Sequence, residues 1–495
     1  MANLASSIPD SLRWGCAQST IRTNRFRLVP QGSQTVGQNG TVRVRLPERS
    51  LVRLSSLSAY FDFGLSGIST DAANYNNALI PASYKPFRSV RFLVNGQSAS
   101  GHLAQNYDMI YEALVQSSTD DRWAYSRLSQ GYKELAVLAD DSSAGLTLTA
   151  QVNNNLVISA AGAATKSQYM FAEDFLGLPR CNGKGGQNGG VIDTSLFGVV
   201  EVEFIMNDAS ILTTWGQTAA AVALIPNIKW EMTNFRVECD VITSVSPAYV
   251  ELMALKLSDP APIKMAFQNY VQTVSTSSGN NRLQCNSQCI DMIMVLPLSQ
   301  YWNTLVPIGP SSSIDGAGAA YGQLTTGSFY PVQPVHYQFN TGLTTATEGT
   351  LRLQVVVGSE TYPKTVISHA VDIFDINTNS FFHGSTSNKN MFYYGLQAGA
   401  AGAAGVAQNF QAIWSRNMAL ATSCIHAQSF SLQSEGWASS VLTGLDTSSQ
   451  NVDIIVQSQN YPNATALPNG VQMLVALTTS QLVYDPQSAS VSIIP

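Results

Sequence analysis

Phe87-Arg-Ser-Val-Arg-Phe-Leu-Val-Asn-Gly96 is the stretch whose pattern decides the fold. Val90, Phe92 and Val94 fall on one side of an extended chain, and Arg91 and Leu93 fall on the other. Asn95-Gly96 then supplies the positive-φ turn chemistry that ends a strand. After Gln97-Ser-Ala-Ser-Gly101 the period changes. Leu103, Tyr107, Ile110 and Leu114 recur at offsets of four, three and four, which predicts one apolar stripe on a helix near 103–115.

Outward from this segment the chain reads mostly as short strands between Gly, Pro, Asn and Ser clusters. Phe26–Val29, Thr41–Leu46 and Leu51–Phe63 precede it. Val199–Met206 follows, with Val200, Val202, Phe204 and Met206 facing one way and Glu201 and Glu203 the other. Ile228–Ile242 also alternates, but its phase shifts between Met232 and Phe235, which predicts a bulge or strong twist. Ser246-Pro247 then reads as a helix start, with Val250, Met253, Ala254 and Leu257 as its stripe and Asp259-Pro260-Ala-Pro262 as its stop.

Beyond that connector the strand pattern restarts in Met265–Val274, Ile290–Leu296, Leu351–Val357, Val452–Val456 and Val471–Leu477, the last running on to Tyr484. Both halves close on a strand, a loop and a long final strand. Strands without βαβ alternation argue for antiparallel sandwiches, and eight-stranded jelly rolls are one such solution. The expected fold is all-β: two tandem eight-stranded antiparallel jelly rolls with a few short helices. Residues 1–245 form the first, 246–260 a helical connector and 261–495 the second. At 495 residues the chain also exceeds the roughly 250–300 at which single cores stop growing.

Charged residues are only 12% of the chain, against roughly 25% in ordinary soluble domains. Such a surface suits a protein covered by copies of itself, and equally a carbohydrate-binding or adhesive β protein. The net charge of −6 is uneven: residues 1–53 hold eight arginines against Asp10 and Glu48, a local +6 that leaves −12 for the rest. Outward-facing strand positions account for several of these, since Arg25 and Arg27 alternate with Phe26 and Leu28. Arg13, Arg22, Arg25 and Arg27 are candidates for an inner basic surface facing nucleic acid, membrane headgroups or acidic proteins.

No catalytic or cofactor constellation stands out. Gly96-Gln-Ser-Ala-Ser-Gly101 misses the nucleophile-elbow spacing. Asn182–Gly190 has glycines and Lys184 without the Gly-Lys-Ser/Thr of a phosphate loop. His102, His336, His369, His383 and His426 are scattered, and Asp120-Asp121 and Asp140-Asp141 each supply two of the six to eight oxygens that calcium takes. The expectation is no metal and no cofactor. The six cysteines, 16, 181, 239, 285, 289 and 424, are too sparse for a disulfide scaffold and are expected to be reduced, buried thiols made in a cytosolic or nuclear compartment. Residues 1–10 lack a signal-peptide pattern, and no stretch reaches the ~18 apolar residues of a membrane span.

Four places resemble the double jelly-roll major capsid proteins of double-stranded DNA viruses, most closely those of virophages and polinton-like viruses. They are Phe87–Val115; Val199–Trp215 with Glu203-Phe-Ile-Met-Asn-Asp-Ala-Ser-Ile-Leu212; Ile228–Asp259; and Phe267-Gln-Asn-Tyr270 onward with Asn286–Val295. The resemblance implies a non-enzymatic shell subunit. Three copies would form a pseudo-hexagonal homotrimeric capsomer that tiles an icosahedral virion assembled in the host cytoplasm or nucleus. Its partners would be itself, neighbouring capsomers and minor capsid or penton proteins. The arginine-rich start would lie inward, in weak contact with nucleic acid or an internal membrane. Two other readings remain open at this point: a double β-sandwich that binds glycans or receptors, and a β-sandwich hydrolase.

Overall fold

The computed structural model describes residues 22–67, 76–79, 84–99, 105–111, 157–158, 167–172, 175, 177–180, 190–216, 225–244, 247–275, 279–298, 352–367, 426–430, 444–448, 454–459 and 471–494. Among them the first half contributes β1 (Arg22–Leu28), β2 (Val36–Gly37), β3 (Thr41–Arg45), β4 (Leu51–Ser66), β5 (Asn76–Leu79), β6 (Phe87–Val94) and β7 (Gln97–Ser98). It continues with β8 (Val157–Ile158), β9 (Ser167–Ala172), β10 (Val191–Asp193), β11 (Val200–Met206), β12 (Thr213–Gly216) and β13 (Lys229–Ser244). The second half contributes β14 (Ile263–Ser275), β15 (Gly279–Leu283), β16 (Ile290–Leu298), β17 (Arg352–Val357), β18 (Glu360–Ile367), β19 (His426–Ser429), β20 (Ile454–Gln459), β21 (Val471–Asp485) and β22 (Ser490–Ile494). Every pairing among them is antiparallel.

In the second half, sheet D runs β14-β21-β16-β19 and sheet E runs β15-β20-β17-β18. Counted from β14, these are the first, eighth, third and sixth strands facing the second, seventh, fourth and fifth. That order is the double Greek key of a jelly roll. In the first half, sheet A runs β1-β13-β4-β10, with β9 also on β4, and sheet B runs β3-β11-β6-β7. With β2 and the three strands of sheet C set aside, the order is the same, and β9 and β10 share the sixth place. The chain therefore folds as two tandem jelly rolls. Sheet C, β12-β5-β8, joins segments that lie between main strands. All three leave the end of the first roll where Lys229 meets Ser66 and Ser167 meets Phe63. At the opposite end β13 finishes beside Arg22 and Leu51, and the helix Pro247–Ser258 follows it.

The segment 87–96 behaves as its pattern requires. Val90, Phe92 and Val94 are each at most 1% exposed, whereas Arg91 and Leu93 are only half-buried. Asn95 and Gly96 take φ of 51° and 80° and turn the chain directly into β7, so the strand ends in a hairpin rather than a loop. Asn95 also braces the neighbouring turn: its Nδ2 donates to the Phe197 carbonyl at 2.9 Å and its Oδ1 accepts from the Val199 amide at 3.0 Å. Of the expected helix near 103–115, residues 107–111 are described and helical; Leu103 and Leu114 lie outside the described residues.

The phase shift in β13 is a bulge. Pairing with β4 slips between Thr233 and Arg236, and Asn234 between them takes φ 55°. The slip returns Phe235 to the interior, where its ring lies 6.3 Å from Phe61, 6.4 Å from Phe87 and 5.3 Å from Phe204. Trp230 stacks on Phe63 at 5.5 Å, and its Nε1 donates to the Asp208 carbonyl at 2.8 Å, so no polar atom of the ring is left unmet.

The two rolls share a seam. In β21, Leu474 and Ala476 face the interior of the second roll, while Met473, Val475 and Leu477 belong to the apolar cluster of the first. In β16, Ile293 and Val295 face inward, and Met292, Met294 and Leu296 face the seam. Where β16 and β21 pair, sheet D is thus buried on both faces, which is why Met292–Leu296 and Met473–Leu477 read as unbroken apolar runs. The first roll meets it with Arg91 of β6 and the segment that leaves β7. Asn269 donates to the Ala99 carbonyl at 3.3 Å, Asn106 donates to Gln272 at 3.0 Å, and Phe197 meets Tyr484 edge-on at 6.2 Å. Tyr270 is buried there beside Tyr107, Asp108 and Arg91; burial first, then Tyr107 and Asp108, push its hydroxyl well above the ordinary range.

Candidate functional site

The arginines singled out near the start fall on one strand, apart from Arg13, which lies outside the described residues. Arg22, Arg25 and Arg27 are exposed positions of β1, the edge strand of sheet A. Register places Arg25 opposite Asp240 and Arg27 opposite Glu238. The inward residues of β13, Val237, Cys239 and Val241, are at most 4% exposed, so Arg236, Glu238 and Asp240 point outward. The structure brings Arg25 and Arg27 together on that face and adds partners that a search for basic residues overlooks. Their signal was present: after the bulge, Arg236, Glu238 and Asp240 share one parity in β13.

Glu238 is the hub. Its carboxylate lies 3.0 Å from Arg25 Nε, 3.5 Å from Arg27 Nε and 3.3 Å from Arg236 Nε. Arg25 also donates to Ser58 at 3.2 Å and Tyr60 at 3.3 Å, and Arg236 stacks over the Tyr60 ring at 4.8 Å. Burial alone would raise the Glu238 carboxyl, but the bonds and charges of Arg25 and Arg236 outweigh it and hold the carboxyl below its ordinary value of 4.5. Burial likewise disfavours the Arg25 charge, while Tyr60, Glu238 and Asp240 more than offset that and hold its pKa up.

Across the middle of this outward face four arginines (25, 27, 53 and 236) meet three carboxylates (Asp62, Glu238 and Asp240), and Asp62 accepts from Asn234 at 2.5 Å. One surplus charge is far short of the six to ten phosphate contacts of a strong nucleic-acid surface. Sheet B repeats the motif at smaller scale. Glu203, 7% exposed, receives Arg43 at 2.7 Å and has Arg91 at 3.9 Å, so each sits opposite it across neighbouring strands.

A second surface is apolar. The helix Pro247–Ser258 forms where the Ser-Pro start and Pro-x-Pro stop place it, yet Val250 is 57% and Leu255 73% exposed. Glu251 and Lys256 are its ionic residues, so it is neither a basic nor an acidic element. Phe26 and Val29 are likewise 41% and 53% exposed along and just beyond β1.

Chemistry in the usual catalytic sense is not concentrated anywhere in this region. Among the described residues no group of three or more His, Cys, Asp or Glu is placed to hold a metal. Cys239, Cys285 and Cys289 are free and buried, and burial pushes each thiol up to about 12. Cys285 and Cys289 lie on irregular chain leading into β16. The Gly-rich 182–189, the Ala/Gly stretch 398–407, the paired aspartates and four of the five histidines lie outside the described residues.

No family model and no curated protein sequence matches the chain. Solved structures do. The capsid protein in the quasi-atomic model of the PBCV-1 virus capsid matches with a TM-score of 0.56 at 10% identity, covering 96% of this chain and 97% of that one. PBCV-1 VP54, as fitted into a reconstruction of the virophage Sputnik, matches with 0.55 at 11% identity, covering 96% and 97%. The Faustovirus major capsid protein matches with 0.50 at 9% identity, covering 94% and 90%. At such identity the likeness is one of fold, and it spans both rolls and the link between them. This chain has the double jelly-roll fold of the viral major capsid proteins it resembles in structure.

Proposed function

We propose that this chain is a major capsid protein whose work is structural rather than catalytic. Three copies form a pseudo-hexagonal capsomer, and capsomers tile an icosahedral shell with minor capsid or penton proteins at its special positions. The working division is residues 1–245 for the first roll, 246–260 for the connector and 261–495 for the second. The site of action is the virion, after assembly in the host cytoplasm or nucleus. One observation carries the reading: the same eight-strand order occurs twice in one chain, fused by a seam that buries Met292, Met294, Leu296, Met473, Val475 and Leu477. Six like barrels from three chains follow from that duplication, and closed rings are the usual outcome of a repeated head-to-tail contact.

The low charge content and the uncovered apolar helix fit a protein whose surface is completed by neighbours. The balanced outward face of sheet A weighs against strong nucleic-acid binding by Arg22, Arg25 and Arg27, which leaves at most a weak interior contact. Light scattering on the purified chain tests the reading. A particle of three times 53.1 kDa that persists on dilution is expected, and negative-stain images of it show a six-lobed outline. A folded chain that stays monomeric at micromolar concentration refutes it, and glycan binding by that monomer would favour the receptor-binding alternative.

A further inference from the structure

The helix Pro247–Ser258 is built from residues that favour cover, and the described chain gives it little. Val250, Ala254 and Leu257 recur at offsets of four and three and share one face. Val250 is 57% and Leu257 38% exposed, Ala254 is exposed as well, and Leu255 next to that face is 73% exposed. Among the described residues no other named element packs closely against the helix. A lone helix of 12 residues is marginal in water, and helices of that length draw most of their stability from packing an apolar face. The open face therefore calls for a partner.

The chain offers one at the right place. β1 begins at Arg22, which pairs with Ser244, three residues before the helix starts. Residues 1–21, outside the described residues, thus join the described chain at the foot of the helix. They carry Leu4, Ile8, Leu12, Trp14 and Ile21 and only two charges, Asp10 and Arg13. The helix likewise carries only Glu251 and Lys256. Traced backwards from Arg22, Arg13 comes first and Asp10 second; traced up the helix, Glu251 comes first and Lys256 second. A segment running beside the helix in that sense sets each charge toward its opposite. Reach is ample, since the nine residues from Arg22 back to Arg13 extend up to about 30 Å and the helix is only about 18 Å long.

We propose that residues 1–21 lie along the Val250, Ala254 and Leu257 face of the connector helix of their own chain, as an intramolecular cover over a surface that other molecules would otherwise reach. The inference stands apart from the capsomer reading, because monomer and trimer would carry it alike. On apolar area alone a neighbouring molecule would complete this face equally well, and the tether decides between them. A segment joined so close to the helix is present there at an effective concentration of the order of millimolar, which a free partner has to overcome. A lipid surface is disfavoured, because helices that lie on membranes line their polar flanks with Lys and Arg, and this one has Lys256 alone.

The test places photoreactive benzoylphenylalanine at Val250 in the full chain. After illumination a denaturing gel separates links within one chain, which keep its mass of 53.1 kDa, from links between molecules, and mass spectrometry maps both. Links from position 250 to residues 1–21 of the same chain are the expected result. Links to residues 1–21 of another copy, to any other protein segment or to lipid overturn the proposal, as does an absence of links. A second variant reads the helix itself. Leu12→Asp combined with Trp14→Asp is expected to speed amide hydrogen exchange across residues 248–258 at least tenfold while β13 and β14 keep their protection. An unchanged helix, or a rise shared equally by β13 and β14, sinks the assignment.

Discussion

Sheet A and sheet D share a strand order and differ in almost everything that faces outward. Sheet D sets Met292, Met294, Leu296, Met473, Val475 and Leu477 against the first roll. Sheet A sets Arg25, Arg27, Arg236, Glu238 and Asp240 toward the outside. Backbone topology is therefore indifferent to what the second face of a sheet carries. The inward alternation builds the roll, and the outward positions are free to record whether the neighbour is the same chain, another molecule or water.

The largest effect expected is at the covered face. Val475→Asp buries an unpaired carboxylate at a position 0% exposed, and should cost at least about 4 kcal/mol or prevent folding, read by urea unfolding. At the open face, Arg27→Ser removes a side chain that is 65% exposed and should stay within about 0.5 kcal/mol. Similar costs at both positions would break the comparison.

Next comes the core that both halves of the contrast presuppose. Phe235→Ala empties a site packed by Phe61, Phe87 and Phe204 and should cost about 3–5 kcal/mol. A small loss there would mean that the bulge does not serve to seat this ring.

The end of the seam is sharpened by two glycines. Gly96 has open space where a Cβ would go, so Gly96→Ala carries only the strain of its positive φ, about 1–2 kcal/mol. At Gly198 a Cβ would lie 2.3 Å from Asn95 Oδ1, the atom that accepts from Val199. Gly198→Ala should therefore lower the thermal midpoint more than Gly96→Ala, because the displaced turn also carries Phe197 against Tyr484. The reverse ranking would detach that turn from the seam.

The smallest effect is electrostatic. Glu238 has a folded-state pKa below its ordinary 4.5, so its contribution is fully present above about pH 4.5 and fades as pH falls through the lower folded value. Glu238→Gln should lower stability by at most a few tenths of a kcal/mol at pH 7, because Arg25 and Arg27 are largely solvated, and should cost nothing once pH is well below the folded pKa, which slightly flattens the acid limb. A loss of the same size at pH 7 and at pH 2 would refute this account.

How much of this was readable in advance depends on the range of the physics. The hairpin at Asn95-Gly96, the bulge after Met232 and the helix between Pro247 and Ser258 were all legible, because each follows from dihedral preference or local period. The arginines of β1 were legible as outward residues, but their partners Glu238, Arg236 and Tyr60 come from strands more than thirty positions away. Sheet C was not foreseen at all, since its pieces are two to four residues long and carry no period of their own. In β16 the stretch Met292–Leu296 is apolar at both parities, and Ile293 and Val295 were the unused sign that both faces are covered.

By itself, the order of residues determined that there would be many antiparallel strands in two successive sets, where they would turn and which parity would point inward. Those properties are local, fixed by side-chain alternation and by the few residues that tolerate positive φ. Only the tertiary structure decided that sheet D would be sealed against the first roll while sheet A kept an ionic outer face. That choice depends on which distant surfaces meet, and burial, unlike a turn, belongs to no single stretch of chain.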